Sequence, residues 1–228
     1  MKAFLTPLQG LAEFEQIKEK SKTNKGILQV SGCMESQKSH LMYGLSGIAP
    51  YRLILAEDER RAREIYEDYR FYDRKVYSYP AKDLLFFQAD IHGNLLICQR
   101  MKVIKALLEE KELTVVTSID GCMDFLESLE KIKEQLIHYE SDSTVDTEPL
   151  KNQLVALGYE RVGQVEMPGQ FSVRGGIVDI YCLTEENPWR IELWGDEIDS
   201  IRSFDPESQR SLENLEELTI YPAVEHIG

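Results

Sequence analysis

Gln170-Phe171-Ser172-Val173-Arg174-Gly175-Gly176-Ile177-Val178-Asp179-Ile180-Tyr181 decides how the second half of this chain is built. Two runs rich in β-branched and aromatic residues flank a Gly-Gly pair, which suits a turn or a bulge between strands. Similar runs lie on either side: Tyr159–Val165 before, Trp189–Trp194 and Asp199–Phe204 after. Pro168-Gly169, Glu185-Glu186-Asn187-Pro188 and Gly195-Asp196 supply turn chemistry between them. A helical pattern at about 147–157, with Leu150, Leu154 and Leu157, precedes the meander and stops at Gly158. A helix followed by strands with no helices between them predicts a small α+β domain with an antiparallel sheet. Residues 206–217 read as a polar turn and short helix. Glu217–Pro222 reads as a last strand, placed in the first sheet so that the middle region becomes an insertion.

The first half has another rhythm. Gly26–Ser31, Tyr51–Ala56, Lys75–Pro80 and Leu113–Ser118 read as strands. Helical patterns at 8–21, from about Lys38 to Gly44, at 57–72 and at 94–109 alternate with them. Alternation of this kind predicts a parallel sheet covered on both faces, the pattern of a nucleotide-binding core. The expected fold is therefore α/β, with a degenerate P-loop-like sheet over residues 1–124 completed by about 210–228, and an inserted α+β domain over 125–209.

Gly32-Cys33-Met34-Glu35-Ser36-Gln37-Lys38-Ser39 occupies the frame GxxxxGK[ST] between a strand and a helix, the context of a phosphate loop. Gly32, Lys38 and Ser39 match, but Gln37 stands where the second glycine belongs. Such a loop wraps phosphate with backbone N–H groups, and a side chain at that point obstructs the approach. Glu35 adds negative charge inside the loop, which repels a triphosphate. The Leu113–Ser118 run offers no carboxylate until Asp120. The frame predicts an eroded site kept for its fold, with Lys38 and Ser39 at the helix start and Ser39 suited to cap it.

The 228 residues carry a net charge of −14, unevenly spread. Residues 1–118 hold 18 basic and 16 acidic side chains, and residues 119–228 hold 8 and 24. So acidic a second half repels phosphate, which argues against nucleic-acid binding there. Cys33, Cys98, Cys122 and Cys182 form no CxxC pair, and the four histidines are scattered, so no metal site is expected. Four buried thiols in a cytoplasmic protein is the default reading. No apolar run is long enough to span a bilayer, and no secretory leader is read, so no membrane partner is expected. No G-x-S-x-G or HExxH pattern occurs, and no catalytic residue is expected.

Arg161, Arg174, Arg190 and Arg202 all fall within the strand region of the acidic half, where guanidinium groups suit bidentate pairing with carboxylates. Alternation along Trp189–Trp194 puts Trp189, Ile191 and Leu193 on one face and Arg190, Glu192 and Trp194 on the other. The second face has the composition of an interface hot spot. The competing reading is salt bridging within an ordinary sheet surface.

The segments G-x-F-x-V-R-G-G-I-V-D-I-Y (169–181), R-I-E-L-W-G-D-E-I-D-S-I-R (190–202) and F-D-x-x-S-Q-R-S (204–211) resemble the module shared by two bacterial nucleotide excision repair families, the helicase subunit UvrB and the transcription-repair coupling factors. They look most like the coupling factors, and the resemblance runs through the whole chain. It implies an N-terminal piece of a much larger protein, whose first domain has lost both the working P-loop and the DNA-gripping hairpin of the helicase subunit. The stretch Ala81–Asn94, with Phe86 and Phe87, is too short for such a hairpin. The resemblance further implies a non-catalytic adaptor that docks on the damage-sensor ATPase UvrA. Arg161, Arg174 and Arg190 match positions the helicase subunit uses for that contact, and Phe171, Glu192, Leu193 and Trp194 are expected beside them. Ser172 departs, since the family has another arginine there. RNA polymerase, DNA, ATP and magnesium are expected only at domains outside these residues, with an intramolecular contact that masks the docking surface. No cofactor is expected in this module. The alternatives are an ATP-binding fragment of a UvrB-type helicase, which requires nucleotide at Lys38 and Ser39, and direct DNA binding by the near-neutral first half.

Overall fold

Strands β1 (Tyr51–Ala56), β2 (Val76–Tyr79) and β3 (Leu113–Ser118) form a parallel sheet in the order β1-β3-β2, with Tyr51 opposite Leu113 and Val76 opposite Thr114. This computed structural model describes residues 2–23, 26–82, 91–124 and 126–225. The chain divides into two units, one of 1–87 with 109–124 and one of 88–108 with 125–228.

In the first unit the Glu59–Tyr69 helix starts at Asp58, whose carboxylate accepts from the Arg61 backbone N–H at 2.7 Å. Its apolar stripe, Ala62, Ile65 and Tyr69, packs with Val76 and Val116 of the sheet. The expected strand at Gly26–Ser31 does not form, and Ile27 is 97% exposed. Tyr51, Leu53 and Leu55 are exposed as well. Among the described residues the parallel sheet thus has three strands, and its edge strand β1 leaves one side open while the central β3 is buried on both. The helix expected to help cover it, Ile91–Glu109, contributes Cys98, Met101 and Ile104 to the core of the second unit.

The second unit is built on β5 (Glu160–Arg161), β6 (Gln170–Arg174), β7 (Ile177–Ile180), β8 (Trp189–Trp194), β9 (Glu197–Phe204) and β10 (Ser211–Asn214), in the order β10-β9-β8-β7-β6-β5. All neighbours are antiparallel except β5 and β6. Phe171, Val178, Ile180, Ile191 and Ile201 pack in one core with Leu150 and Leu154 of the Thr147–Ala156 helix. The Gly-Gly pair is the turn between β6 and β7. A Cβ on Gly176 would sit 2.8 Å from the Leu193 carbonyl oxygen, and that close approach lets Leu193 N–H reach the Gly176 oxygen at 2.7 Å. Gly176→Ala would push this turn away from Leu193 of β8 (Trp189–Trp194); the expected result is a lower melting temperature with helix content unchanged.

Two expectations for the last residues change. Ser211–Asn214 extends the large sheet beside β9 where a short helix was expected. β11 (Glu217–Ile220) pairs antiparallel with β4 (Ile137–Glu140), not with the parallel sheet. β4 escapes sequence reading because Ile137-His138-Tyr139-Glu140 is short and polar; its Tyr139 packs inward.

Of the four thiols, Cys98 and Cys182 are buried, Cys33 is partly so and Cys122 is exposed. Burial pushes the Cys182 thiol up to about 12 and raises Cys98 as well. A thiol reagent at pH 8 is expected to modify Cys122 first, and Cys98 and Cys182 only after denaturant is added, since the thiolate is the reacting form. Peptide mapping of the labelled protein checks the order. Among the described residues no helix is long and apolar enough to cross a membrane.

Candidate functional site

The strands β6 to β8 turn Ser172, Arg174, Asp179, Arg190 and Glu192 away from the core, and β9 adds Arg202 beside Arg190. Asp179 is the centre of this face. Its carboxylate is fully buried and accepts from Arg190 Nε at 2.7 Å, from Arg190 Nη2 at 2.8 Å and from Arg174 Nη2 at 3.3 Å. The two-point Arg190 contact is the strong, geometrically fixed kind, and it raises the guanidinium pKa above its ordinary value. Arg190 also lies 4.4 Å from the Phe204 ring centroid and donates to Gln209 Oε1 at 3.1 Å. Gln209 adopts φ 61° and bonds to the Pro206 carbonyl at 2.7 Å, so the 205–210 loop is drawn over this end of the sheet.

Arg190 therefore does not project from the sheet. Its fork is matched by the chain's own carboxylate, and its side chain is only 15% exposed. Arg202 pairs with Glu192 across β8 and β9. Phe171 is fully buried in the core, and Leu193 packs half-buried against it, so neither offers its side chain to a partner. Ser172 is also buried and donates its hydroxyl to the Gly163 carbonyl at 3.1 Å. The other end of the face is open. Arg174 keeps 50% of its side chain exposed, Glu192 35% and Trp194 83% of the residue. Arg161 is exposed on β5. Sequence reasoning missed Asp179, although the signal was there: a lone acid inside the apolar run Ile177-Val178-Asp179-Ile180 has to find cations.

The Gly32 loop follows another plan from the one its frame suggests. Gly32 has φ 85°, as a phosphate loop would use it, but the helix begins at Glu35, ahead of Lys38 and Ser39. Gln37 explains the early start. Its side-chain Oε1 accepts from the Met34 N–H at 3.0 Å while its own N–H bonds to the Met34 carbonyl at 2.9 Å. The amide that replaces glycine thus caps the helix and occupies a backbone donor. Ser39 is buried a turn further on and does not cap. Glu35 pairs with both Lys38 and Arg61, and these contacts, Lys38 foremost, hold its carboxyl below the usual range. The loop borders a cleft of about 800 Å³ lined in part by Gly32, Glu35, Lys38, Ile54, Arg60 and Arg61.

On the β4–β11 ribbon, His138, Glu140 and Glu217 bring potential ligand atoms within 4.8 Å of one another, all exposed. His138 Nδ1 is 2.9 Å from Thr219 Oγ1.

Residues 137–226 match the family model of the UvrB interaction domain. The chain is similar to the transcription-repair-coupling factor of Bacillus subtilis (strain 168), 35% identical over 213 residues that cover 87% of this chain and 18% of that protein. It is similar to the same factor of Staphylococcus haemolyticus (strain JCSC1435), 36% identical over 153 residues covering 67% of this chain and 13% of the relative. The factor of Staphylococcus aureus (strain bovine RF122 / ET3-1) aligns over the same shares at 36% identity. The chain spans less than a fifth of the length of these relatives.

Proposed function

We propose, from the premise that residues 137–226 form a UvrB interaction domain in a chain related to the transcription-repair-coupling factors, that this module is a non-catalytic adaptor binding the damage-recognition ATPase UvrA. The observation that carries the reading is the open end of the second unit's sheet. A tryptophan 83% exposed stands beyond Glu192 on the same strand face, and Arg174 stands on that face too, half exposed. Exposed Trp and Arg are the residue types that anchor interfaces. The buried Asp179 sets the direction of Arg174, so less side-chain freedom is lost when a partner binds. Arg161 adds a cation on the neighbouring edge. Arg190 supports the site from beneath by fixing Asp179.

The parallel sheet of the first unit is, on this reading, a nucleotide-binding fold whose loop has lost its ligand, and no cofactor acts in the module. RNA polymerase binding, DNA contact and ATP- and magnesium-dependent translocation are assigned to the length of the coupling factors that this chain does not match. An intramolecular contact from that length masks the docking face until it is needed. The setting is the cytoplasm.

Binding of purified UvrA by calorimetry tests the reading. Trp194→Ala is expected to weaken binding by about 2 kcal/mol or more, roughly 30-fold, and Arg174→Ala by about 1–3 kcal/mol. Both variants should melt within a few degrees of wild type, because Trp194 is largely in solvent and Arg174 is half exposed, with Asp179 keeping its two-point contact to Arg190. Undiminished binding by both variants would remove this face as the docking site. Saturable micromolar ATP binding by wild type, abolished by Lys38→Ala, would favour the helicase reading instead.

A further inference from the structure

We infer that His138, Glu140 and Glu217 form a binding site for a divalent metal ion of the zinc class, and that the ion clasps β4 to β11. The three side chains come from both strands of the ribbon and are exposed, each with a ligand atom within 4.8 Å of the other two. One imidazole nitrogen faces both carboxylates: His138 Nε2 is 3.8 Å from Glu140 Oε1 and 3.5 Å from Glu217 Oε2. Both separations exceed the roughly 2.7–3.2 Å of an N–H···O hydrogen bond, so direct bonding between these groups does not explain the arrangement. An ion held tetrahedrally at about 2.1 Å keeps its ligand atoms about 3.4 Å apart, close to the spacing here. Because both carboxylates are exposed, small side-chain rotations can complete the fit without disturbing packing.

The surroundings orient the imidazole and call for a cation. Thr219 stands opposite His138 on β11, and its Oγ1 lies 2.9 Å from Nδ1. That hydroxyl can accept from Nδ1–H, which leaves the lone pair on Nε2, the nitrogen that faces the carboxylates. Tyr139, Leu218 and Ile220 pack into the second unit's core, so the ribbon's backbone is fixed beneath the site. Glu140 and Glu217 are direct cross-strand partners, and like charges in that position destabilise a ribbon. Among the described residues no lysine or arginine pairs with either carboxylate. Residues 119–228, with 8 basic and 24 acidic side chains, add a field that attracts cations. Imidazole beside carboxylate selects a zinc-class ion over magnesium or calcium, which prefer oxygen alone. Sequence spacing gives no hint of the site, because Glu217 lies on a distant strand. β4 and β11 stand at the two ends of the matched region 137–226, so a bound ion staples the ends of that domain together.

Calorimetric titration of the full chain with zinc chloride, after chelator treatment and dialysis, tests this. Every protein carries Cys33→Ser and Cys122→Ser, which removes the two thiols that are not buried. The parent is expected to bind one zinc ion per chain and to melt several degrees higher when saturated, because the ion binds the folded ribbon alone. His138→Ala and Glu217→Gln should each weaken binding at least about 10-fold and lose the rise in melting temperature. Thr219→Val should weaken binding about 10-fold, since it frees the imidazole without removing a ligand. All these positions are at the surface of the ribbon, and circular dichroism without metal shows that each variant is folded. Magnesium and calcium chloride should produce neither binding heat nor a shift in melting. A folded His138→Ala protein that keeps the parent's zinc affinity would overturn the site, and so would magnesium or calcium binding as tight as zinc, which would leave only an acidic surface. The inference does not rest on the UvrA reading, and its failure leaves that reading untouched.

Discussion

Asp179→Ala is expected to destabilise the second unit by about 3–5 kcal/mol, the cost of breaking a buried ion pair by removing one partner. The carboxylate is wholly inaccessible and Arg190 is 15% exposed, so the deletion strands a nearly desolvated guanidinium whose two best hydrogen bonds are gone. Arg190 also fixes the 205–210 loop through Gln209, and that loop should loosen at the same time. Urea titration followed by tryptophan fluorescence measures the change, with Trp189 reporting from the core. A loss below about 1 kcal/mol would show that the pair does not organise this face. Replacing both partners, Asp179→Leu with Arg190→Met, should recover most of the stability, because apolar pairs of similar volume replace buried ions at little cost. The double variant should nevertheless bind UvrA poorly, since Arg174 loses the carboxylate that aims it. That split between stability and binding separates a positioning role from a merely structural one.

Phe171→Ala tests a different point. The sequence places Phe171 beside Arg174 as a docking residue, yet the ring is fully buried among Val178, Ile180, Leu150 and Leu154. The expected effect is therefore a loss of about 3–5 kcal/mol in stability, from lost burial and from the cavity left behind. UvrA affinity, measured at a temperature where the variant remains folded, should change little. A variant of near wild-type stability with abolished binding would instead return Phe171 to the interface.

Phe171 also shows why this face was only partly readable. Strand periodicity places alternate residues on opposite sides, and it separated Trp189 and Ile191 from Arg190 and Glu192 correctly. Applied to β6, the same period sets Phe171 with Val173 against Ser172 with Arg174, so the docking set that the resemblance implies, Phe171 with Arg174, crosses faces. Local pattern does not assign Asp179 its partners, because they lie on neighbouring strands: Arg190 opposite on β8, and Arg174 diagonally across on β6.

The loop at Gly32 failed to match expectation for a local reason. Phosphate loops put the lysine and hydroxyl at a helix start, whereas here the Gln37 side chain bonds back to the Met34 N–H and the helix starts at Glu35. Local pattern offers Gln37 as an obstacle to phosphate, whereas the structure shows its side chain capping the helix. Glu35 was read as a repelling charge, and its two cationic partners, Arg61 in particular, depend on the approach of a second helix.

Sequence alone determined the antiparallel meander, the turn at Gly175-Gly176 and the helix stop at Gly158, because each rests on short-range periodicity and backbone sterics. It also carried the family, through runs long enough to be distinctive. Tertiary structure alone decided that β11 joins β4, that Ile91–Glu109 serves the second core, and that Arg190 is matched inside its own sheet while Trp194 is not. Those outcomes depend on which distant segments meet, and local pattern carries no information about the burial and charge pairing that such meetings create.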